Sequence, residues 1–171
     1  MNARILTAAL LAGTIALAGC KTKAPDDLPP GPGPVGTPTD GQGTGTAGPG
    51  VGTQEHFVRG VNGQNVIYFD TDRYNVDSAD AAALQTQAQY LAQYPNVTIT
   101  IEGHADERGT REYNLALGER RANAAKNYLV GIGVAANRIS TVSYGKERPA
   151  ALGSNEAAWA QNRRAVSVVI N

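Results

Sequence analysis

A segment rich in proline and glycine limits how much of this 171-residue chain can fold. Seven of the nine prolines and nine of the 20 glycines lie between residues 24 and 53. Because this segment has almost no large apolar side chains, burial cannot offset the entropy that ordering it would cost. We therefore predict a disordered linker over residues 20–53 and a single folded domain over residues 54–171, an ordinary length for one domain.

Residues 1–19 have the pattern of a bacterial lipoprotein signal peptide. Arg4 precedes an apolar run, Ile5–Leu17, and Ala18-Gly19-Cys20 follows. This ending resembles a lipobox, in which the cysteine is lipidated and becomes the new N-terminus. The resemblance implies covalent N-acyl and S-diacylglycerol groups on Cys20. Two alternatives are a membrane-spanning helix, for which the run is shorter than the ~20 residues required, and a secreted protein with a free thiol.

The predicted anchor indicates where the domain would work. Several acyl chains hold a protein firmly on a membrane, whereas one chain holds it only marginally. Lys21 follows the cysteine, and lipoproteins retained in the inner membrane often have Asp there, so the resemblance implies the outer membrane. Because the linker would reach about 100 Å when fully extended, we expect the domain to lie in the periplasm, away from the membrane surface.

The composition argues against two other classes of protein. Fifteen basic and 15 acidic residues give a formal net charge of zero, so the chain lacks the basic footprint of nucleic-acid binding and no nucleic-acid partner is expected. The sequence shows no nucleophile elbow, phosphate loop or metal-ligand cluster, so we predict no enzymatic activity, catalytic residue, metal or other cofactor. The rival hypothesis is a hydrolytic dyad of His104 and Asp106, although a lone histidine beside a turn is more often a hydrogen-bonded structural residue.

The pattern of the folded part predicts an α/β (α+β) two-layer sandwich, a sheet with helices on one face. Alternating or β-branched runs and amphipathic runs predict the following elements. The strands are 65–69, 97–102, 138–144 and 165–170, and the helices are 77–94, 111–130 and 154–161. Asp77 and Ser154 are the predicted N-caps, and Pro95 ends the first of these helices.

The turn after the second strand and the helix that follows carry a dense set of charges. One helical stripe, predicted to face the sheet, consists of Leu115, Gly118, Ala122, Ala125 and Leu129. Asn114, Leu117 and Arg121 share an adjacent stripe, and Asp106 precedes the helix. Asp106 could accept from an ammonium while Arg121 grips a carboxylate, which would suit an amino-acid head group. The alternative is a solvated ion pair or a capping network.

Several motifs resemble the OmpA-like C-terminal domain family. They are Gly103–Gly109, Tyr113–Asn114, Leu117–Ala122, Val66–Asp72, Val142–Ala150 and Asn162–Val166. Within that family the chain is most similar to its lipid-anchored, peptidoglycan-associated members. The resemblance spans roughly residues 63 to 171 and implies a β-α-β-α-β-β-type domain with a mixed sheet.

The resemblance also implies a ligand and the residues that bind it. The ligand is peptidoglycan, bound non-covalently through its stem peptide, with meso-diaminopimelate as the main determinant. By position, Asp106 takes the acidic role and Arg121 the carboxylate-gripping role. The remaining groove residues carried over are Asp72, Thr71, Asn114, Leu117 and Arg108. Thr71 is a departure, because relatives more often have Phe there.

Partners and location follow from the same resemblance. It implies binding to the periplasmic β-propeller TolB, through a surface overlapping the peptidoglycan site, and to other Tol-system proteins in envelope integrity and cell division. A purely protein-binding module is therefore a further alternative. The pair Arg163-Arg164 repeats the pattern of Arg120-Arg121, and we predict structural ion pairs there, with an acid such as Glu119.

Overall fold

The computed structural model describes residues 49–170. The predicted signal peptide, Cys20 and the linker up to residue 48 lie outside the described residues, as does Asn171. Within residues 49–170, no helix is both long and apolar enough to cross a membrane.

Helices and strands alternate along the described part of the chain. The helices are α1 (Gln54–Gly60), α2 (Ser78–Gln93), α3 (Arg111–Gly131) and α4 (Glu156–Asn162), and the strands are β1 (Val66–Tyr68), β2 (Thr98–His104), β3 (Ile139–Gly145) and β4 (Arg164–Ile170). A single 3₁₀ turn, Ala136–Arg138, leads into β3.

The four strands form one mixed sheet in the order β1-β4-β2-β3. Strands β2 and β3 are parallel, and β4 runs antiparallel to both β1 and β2. The parallel pair is connected through α3, as a parallel connection requires. Helix α3 packs against β2 and β3 and also contacts α2. This arrangement confirms the predicted two-layer sandwich with a mixed sheet.

Helix α3 lies unusually close to the sheet because two glycines face each other. A Cβ added to Gly103 on β2 would lie 1.8 Å from the carbonyl oxygen of Gly118, and one added to Gly118 would lie 2.3 Å from Ser143 Oγ. No side chain fits at either position, so the helix backbone rests on the strand backbone. This contact fixes the height of the N-terminal half of α3 above the ends of β2 and β3.

Two features of the fold differ from the sequence prediction. Helix α1 was not predicted: Thr53 caps it by accepting from His56 N, and Phe57 is its buried residue. A helix of seven residues offers too few turns for a visible apolar period. The N-cap of α4 is Asn155 instead of Ser154, since the Asn155 side chain accepts from Ala158 N. Both residue types cap well, so the sequence did not separate the two neighbours.

Candidate ligand-binding pocket

One pocket brings together all seven side chains predicted for the site. It lies between the β1–α2 loop and the N-terminal half of α3 and has a volume of about 280 Å³. Its lining residues are Thr71, Asp72, Asp106, Arg108, Gly109, Tyr113, Asn114, Leu117 and Arg121. Gly109 and Tyr113 were not predicted as site residues, although both lie within or beside the motifs that carried the resemblance.

The β1–α2 loop forms one wall of the pocket. Asp72 adopts a left-handed backbone conformation with φ of 55°, which is uncommon for a residue with a Cβ, though aspartate tolerates it better than most. The Tyr113 hydroxyl donates to Asp72 Oδ1 over 3.1 Å. This bond links the loop to the first turn of α3, across the mouth of the pocket.

The turn between β2 and α3 forms the opposite wall. Gly109 has φ of 83°, and Thr110 caps α3 by accepting from Tyr113 N. The Asn114 amide donates to Arg108 O over 2.7 Å and to Thr110 O over 3.1 Å. Asn114 is itself buried, so in this structure its side-chain amide holds the shape of the turn.

Asp106 and Arg108 form what we call the pocket rim, together with Trp159. Arg108 Nε donates to Asp106 Oδ1 over 2.9 Å, and Arg108 Nη2 donates to Oδ2 over 2.7 Å. The backbone N of Arg108 also donates to Oδ1. Burial acts to raise the pKa of the Asp106 carboxyl, but the hydrogen bonds and charge of Arg108, with the charge of Arg163, lower that pKa overall. Asp106 is therefore ionised at neutral pH.

Arg121 forms what we call the pocket floor. Its side chain is completely buried, and its guanidinium lies 5.2 Å from the centre of the Phe69 ring. It donates to the carbonyl oxygens of Arg73, His104 and Asp70 over 2.9, 2.7 and 3.0 Å. Burial lowers the pKa of Arg121 to about 10, so the group remains cationic at neutral pH.

The burial of Arg121 revises the prediction that α3 carries separate packing and groove stripes. Arg121, Asn114 and Leu117 are all buried, whereas Leu115 of the predicted packing stripe is only half-buried. The reason is that the β1–α2 loop folds over this face of α3 and supplies carbonyl acceptors to the guanidinium. Three of the five N–H groups of a guanidinium are thus engaged with backbone.

The second arginine pair was predicted to form structural ion pairs. Arg163 does so, although with Glu156 at 2.7 Å and Asp106 at 3.6 Å instead of Glu119. Arg163 Nε also donates to Phe69 O over 2.9 Å, so Arg121 and Arg163 both fasten the chain that leaves β1. Arg164 donates to the carbonyl of Arg148, and no acidic partner pairs with it within residues 49–170.

His104 is buried outside the pocket. Within the described residues neither of its ring nitrogens has a hydrogen-bond partner, and Nε2 lies 3.5 Å from a carboxylate oxygen of Glu102. Burial, followed by the nearby charges of Arg164 and Arg148, lowers the pKa of His104 to about 4. Neither imidazole nitrogen bonds to the Asp106 carboxylate, so His104 and Asp106 do not form a dyad in this structure.

Comparison with known proteins identifies the family. The model of the OmpA family matches residues 68–163. The peptidoglycan-associated lipoprotein of Rhizobium meliloti is 52% identical over 156 residues, which cover 91% of this chain and 82% of that protein. The chain belongs to the OmpA family, in its peptidoglycan-associated lipoprotein branch. A second member of this branch, from Agrobacterium fabrum, is 48% identical over 155 residues, covering 91% of this chain and 82% of that protein.

Solved structures agree with this placement in the OmpA family. The crystal structure of the peptidoglycan-associated lipoprotein from Burkholderia pseudomallei has a TM-score of 0.63 and 47% identity, and the match covers 67% of this chain and 99% of that one. The C-terminal domain of Helicobacter pylori MotB has a TM-score of 0.58 at 20% identity, covering 62% of this chain and 84% of that one. The second similarity concerns the fold alone.

Proposed function

We propose that this chain is an outer-membrane lipoprotein whose domain binds peptidoglycan non-covalently through the stem peptide. The observation that supports the proposal most directly is the pocket itself. It places an ionised carboxylate, Asp106, and a cationic guanidinium, Arg121, in one small cavity with every other residue predicted for the site. The names of the relatives associate those proteins with peptidoglycan.

The ligand group that suits this cavity is the side-chain end of meso-diaminopimelate, which has an ammonium and a carboxylate on one carbon. A volume of about 280 Å³ accommodates such a head group and is at the small end for ligand pockets. Asp106 would accept from the ammonium, because a charge-assisted hydrogen bond to a poorly solvated carboxylate is strong. Arg121 would contribute its positive charge, and Asp72 and Thr71 would contact the peptide from the β1–α2 loop.

The proposed attachment to the wall is paired with attachment to the membrane. A lipidated Cys20 followed by the Pro/Gly-rich linker would hold the domain within about 100 Å of the outer membrane. The same surface of the domain would be used in turn by peptidoglycan and by TolB, which would connect the chain to the Tol system during cell division. The proposed activity is binding without turnover, so an isolated preparation should release no soluble muropeptides from peptidoglycan.

The test is co-sedimentation of the purified domain with purified sacculi. Asp106→Asn keeps the size of the side chain and removes its charge, and we expect the apparent affinity to fall about tenfold or more. Glu55→Gln is the matched control, because it removes one exposed carboxylate from α1, outside the pocket. A soluble stem peptide containing meso-diaminopimelate should compete with the sacculi. If Asp106→Asn sediments as the wild type does, the site assignment is wrong.

A further inference from the structure

The carboxylate proposed to receive the ligand already has a cationic partner. Both oxygens of Asp106 accept from the Arg108 guanidinium, at 2.9 and 2.7 Å. Arg163 is the other cation beside this carboxylate, and its nearest nitrogen is 3.6 Å away. Oδ1 also accepts from the Arg108 backbone N–H, so a ligand ammonium would compete with the Arg108 fork for the same two oxygens and would be repelled by its charge.

Arg108 is the exchangeable member of this pair. Its side chain is 39% exposed, whereas that of Asp106 is 9% exposed. Its guanidinium lies 4.2 Å from the centre of the Trp159 ring, which is within the range of a cation–π contact. The guanidinium also donates to Thr71 Oγ1 over 3.3 Å. These rim contacts are solvent-accessible, so water can replace them when the side chain swings away.

The backbone of Arg108 is held independently of its side chain. Its N–H donates to Asp106 Oδ1 over 3.1 Å, and its carbonyl accepts from the Asn114 amide over 2.7 Å. Lys146 Nζ donates to the carbonyls of the two flanking residues, Glu107 and Gly109, over 3.1 and 2.7 Å. Release of Asp106 therefore needs only rotation of the Arg108 side chain, with the turn left in place.

We propose that Arg108 is a specificity-determining residue that occupies the ligand's ammonium position in the free domain and must leave Asp106 before the ligand binds. This inference rests on the proposed function. A carboxylate that is largely removed from water is costly to leave without a close cation. A ligand that has its own ammonium restores the charge pair when Arg108 leaves. A ligand without one leaves Asp106 poorly compensated and is rejected.

Displacement of Arg108 has a measurable consequence for affinity. The apparent dissociation constant is raised by the reciprocal of the fraction of molecules in which the site is open. Removing the Arg108 side chain should therefore tighten binding of an ammonium-bearing peptide. A direct contact between Arg108 and the ligand would have the opposite effect, because its removal would weaken binding.

The experiment is a calorimetric titration of the domain with a soluble stem peptide containing meso-diaminopimelate, which measures the dissociation constant. We expect Arg108→Ala to bind about tenfold more tightly than the wild type, and Arg108→Lys, which keeps the charge but not the two-point fork, to fall between them. Arg111→Ala removes a neighbouring exposed arginine that pairs with Glu147 and should leave the affinity unchanged. A matched peptide with 2-aminopimelate, which lacks the side-chain ammonium, should bind the wild type at least about tenfold more weakly.

Trp159 provides a second readout, because it is the only tryptophan in the chain. Saturating peptide should change its fluorescence in the wild type as the guanidinium leaves the ring, and should change it much less in Arg108→Ala. Unchanged or weaker peptide binding by Arg108→Ala, with wild-type binding intact and Asp106→Asn binding lost, would overturn this inference alone. Failure of the wild type to bind the peptide would overturn the proposed function as well.

Discussion

The pocket floor and the pocket rim each contain an arginine, and the two are held in opposite ways. Arg121 in the floor is completely buried and donates to three backbone carbonyls. Arg108 in the rim is partly exposed and donates mainly to one carboxylate. A guanidinium bound to carbonyls from separate parts of the chain fixes their positions. A guanidinium that is itself partly exposed and bound to a single carboxylate can be exchanged for another cation.

Arg138 shows that the floor arrangement recurs in this fold. Its guanidinium donates to the carbonyls of Leu91, Tyr94 and Val97 at distances from 2.7 to 3.0 Å. These residues connect α2 to β2, and none of them lines the pocket. Arginines thus fix loops in this domain by donating to backbone carbonyls, and Arg121 in this way also places a positive charge in the pocket.

The largest expected effect is on stability when the floor is removed. Arg121→Ala would remove a completely buried side chain and leave three carbonyl oxygens without their donor, and we expect the free energy of unfolding to fall by about 3–5 kcal/mol. Urea denaturation of the two proteins measures the difference. Arg120→Ala is the control, because that neighbour is exposed and its loss should cost no more than about 0.5 kcal/mol. Equal losses from both variants would contradict the structural role of Arg121.

The second effect is a dependence of the free energy of unfolding on pH, which comes from the imidazole of His104. This residue adjoins the pocket floor, because its carbonyl accepts from Arg121. The imidazole has a pKa of about 4 in the folded domain and about 6.5 when unfolded. The unfolded chain therefore binds the proton more readily, so stability is fully present above pH ~6.5 and is lost as pH falls toward 4. After allowance for solvent screening, we expect a loss on the order of 2 kcal/mol.

Denaturation of the wild type and His104→Gln at several pH values between 4 and 7 would measure this contribution. The carboxylates titrate in both proteins, so the difference between the two curves isolates the histidine. The wild type should lose stability more steeply than His104→Gln as the pH falls. Parallel curves would show that the buried imidazole is not the source of the pH dependence.

The smallest effect is expected at the rim. Arg108→Ala should lower the urea midpoint less than Arg121→Ala does, because the lost contacts are partly exposed and Arg163, 3.6 Å from Asp106, compensates its charge in part. Its effect should lie between those of Arg111→Ala and Arg121→Ala, measured in the same series. A loss as large as that of Arg121→Ala would mean that rim and floor are both structural, and the contrast between them would disappear.

Much of the fold could be predicted from local signals. Asp77 caps α2 and Tyr94 follows its last residue, as the Asp-rich start and Pro95 indicated. The predicted helix over residues 111–130 differs from α3 by one residue at its end. Capping side chains and proline act within one turn of the chain, so their effect is readable in sequence. Helix α1 and the cap of α4 were missed because short elements leave weak or duplicated signals.

The sequence by itself determined that Asp106, Asn114, Leu117 and Arg121 lie near one another, because Asp106 follows a strand end and the other three recur on one helical face. The family resemblance added Thr71, Asp72 and Arg108. Only the tertiary structure decided what each of them does in the free domain. Arg121 donates to carbonyls up to 51 residues away, and every residue has a carbonyl, so such partners leave no sequence signature. Arg108 covers Asp106 because the turn directs both side chains to the same rim, a matter of backbone geometry that residue spacing does not encode.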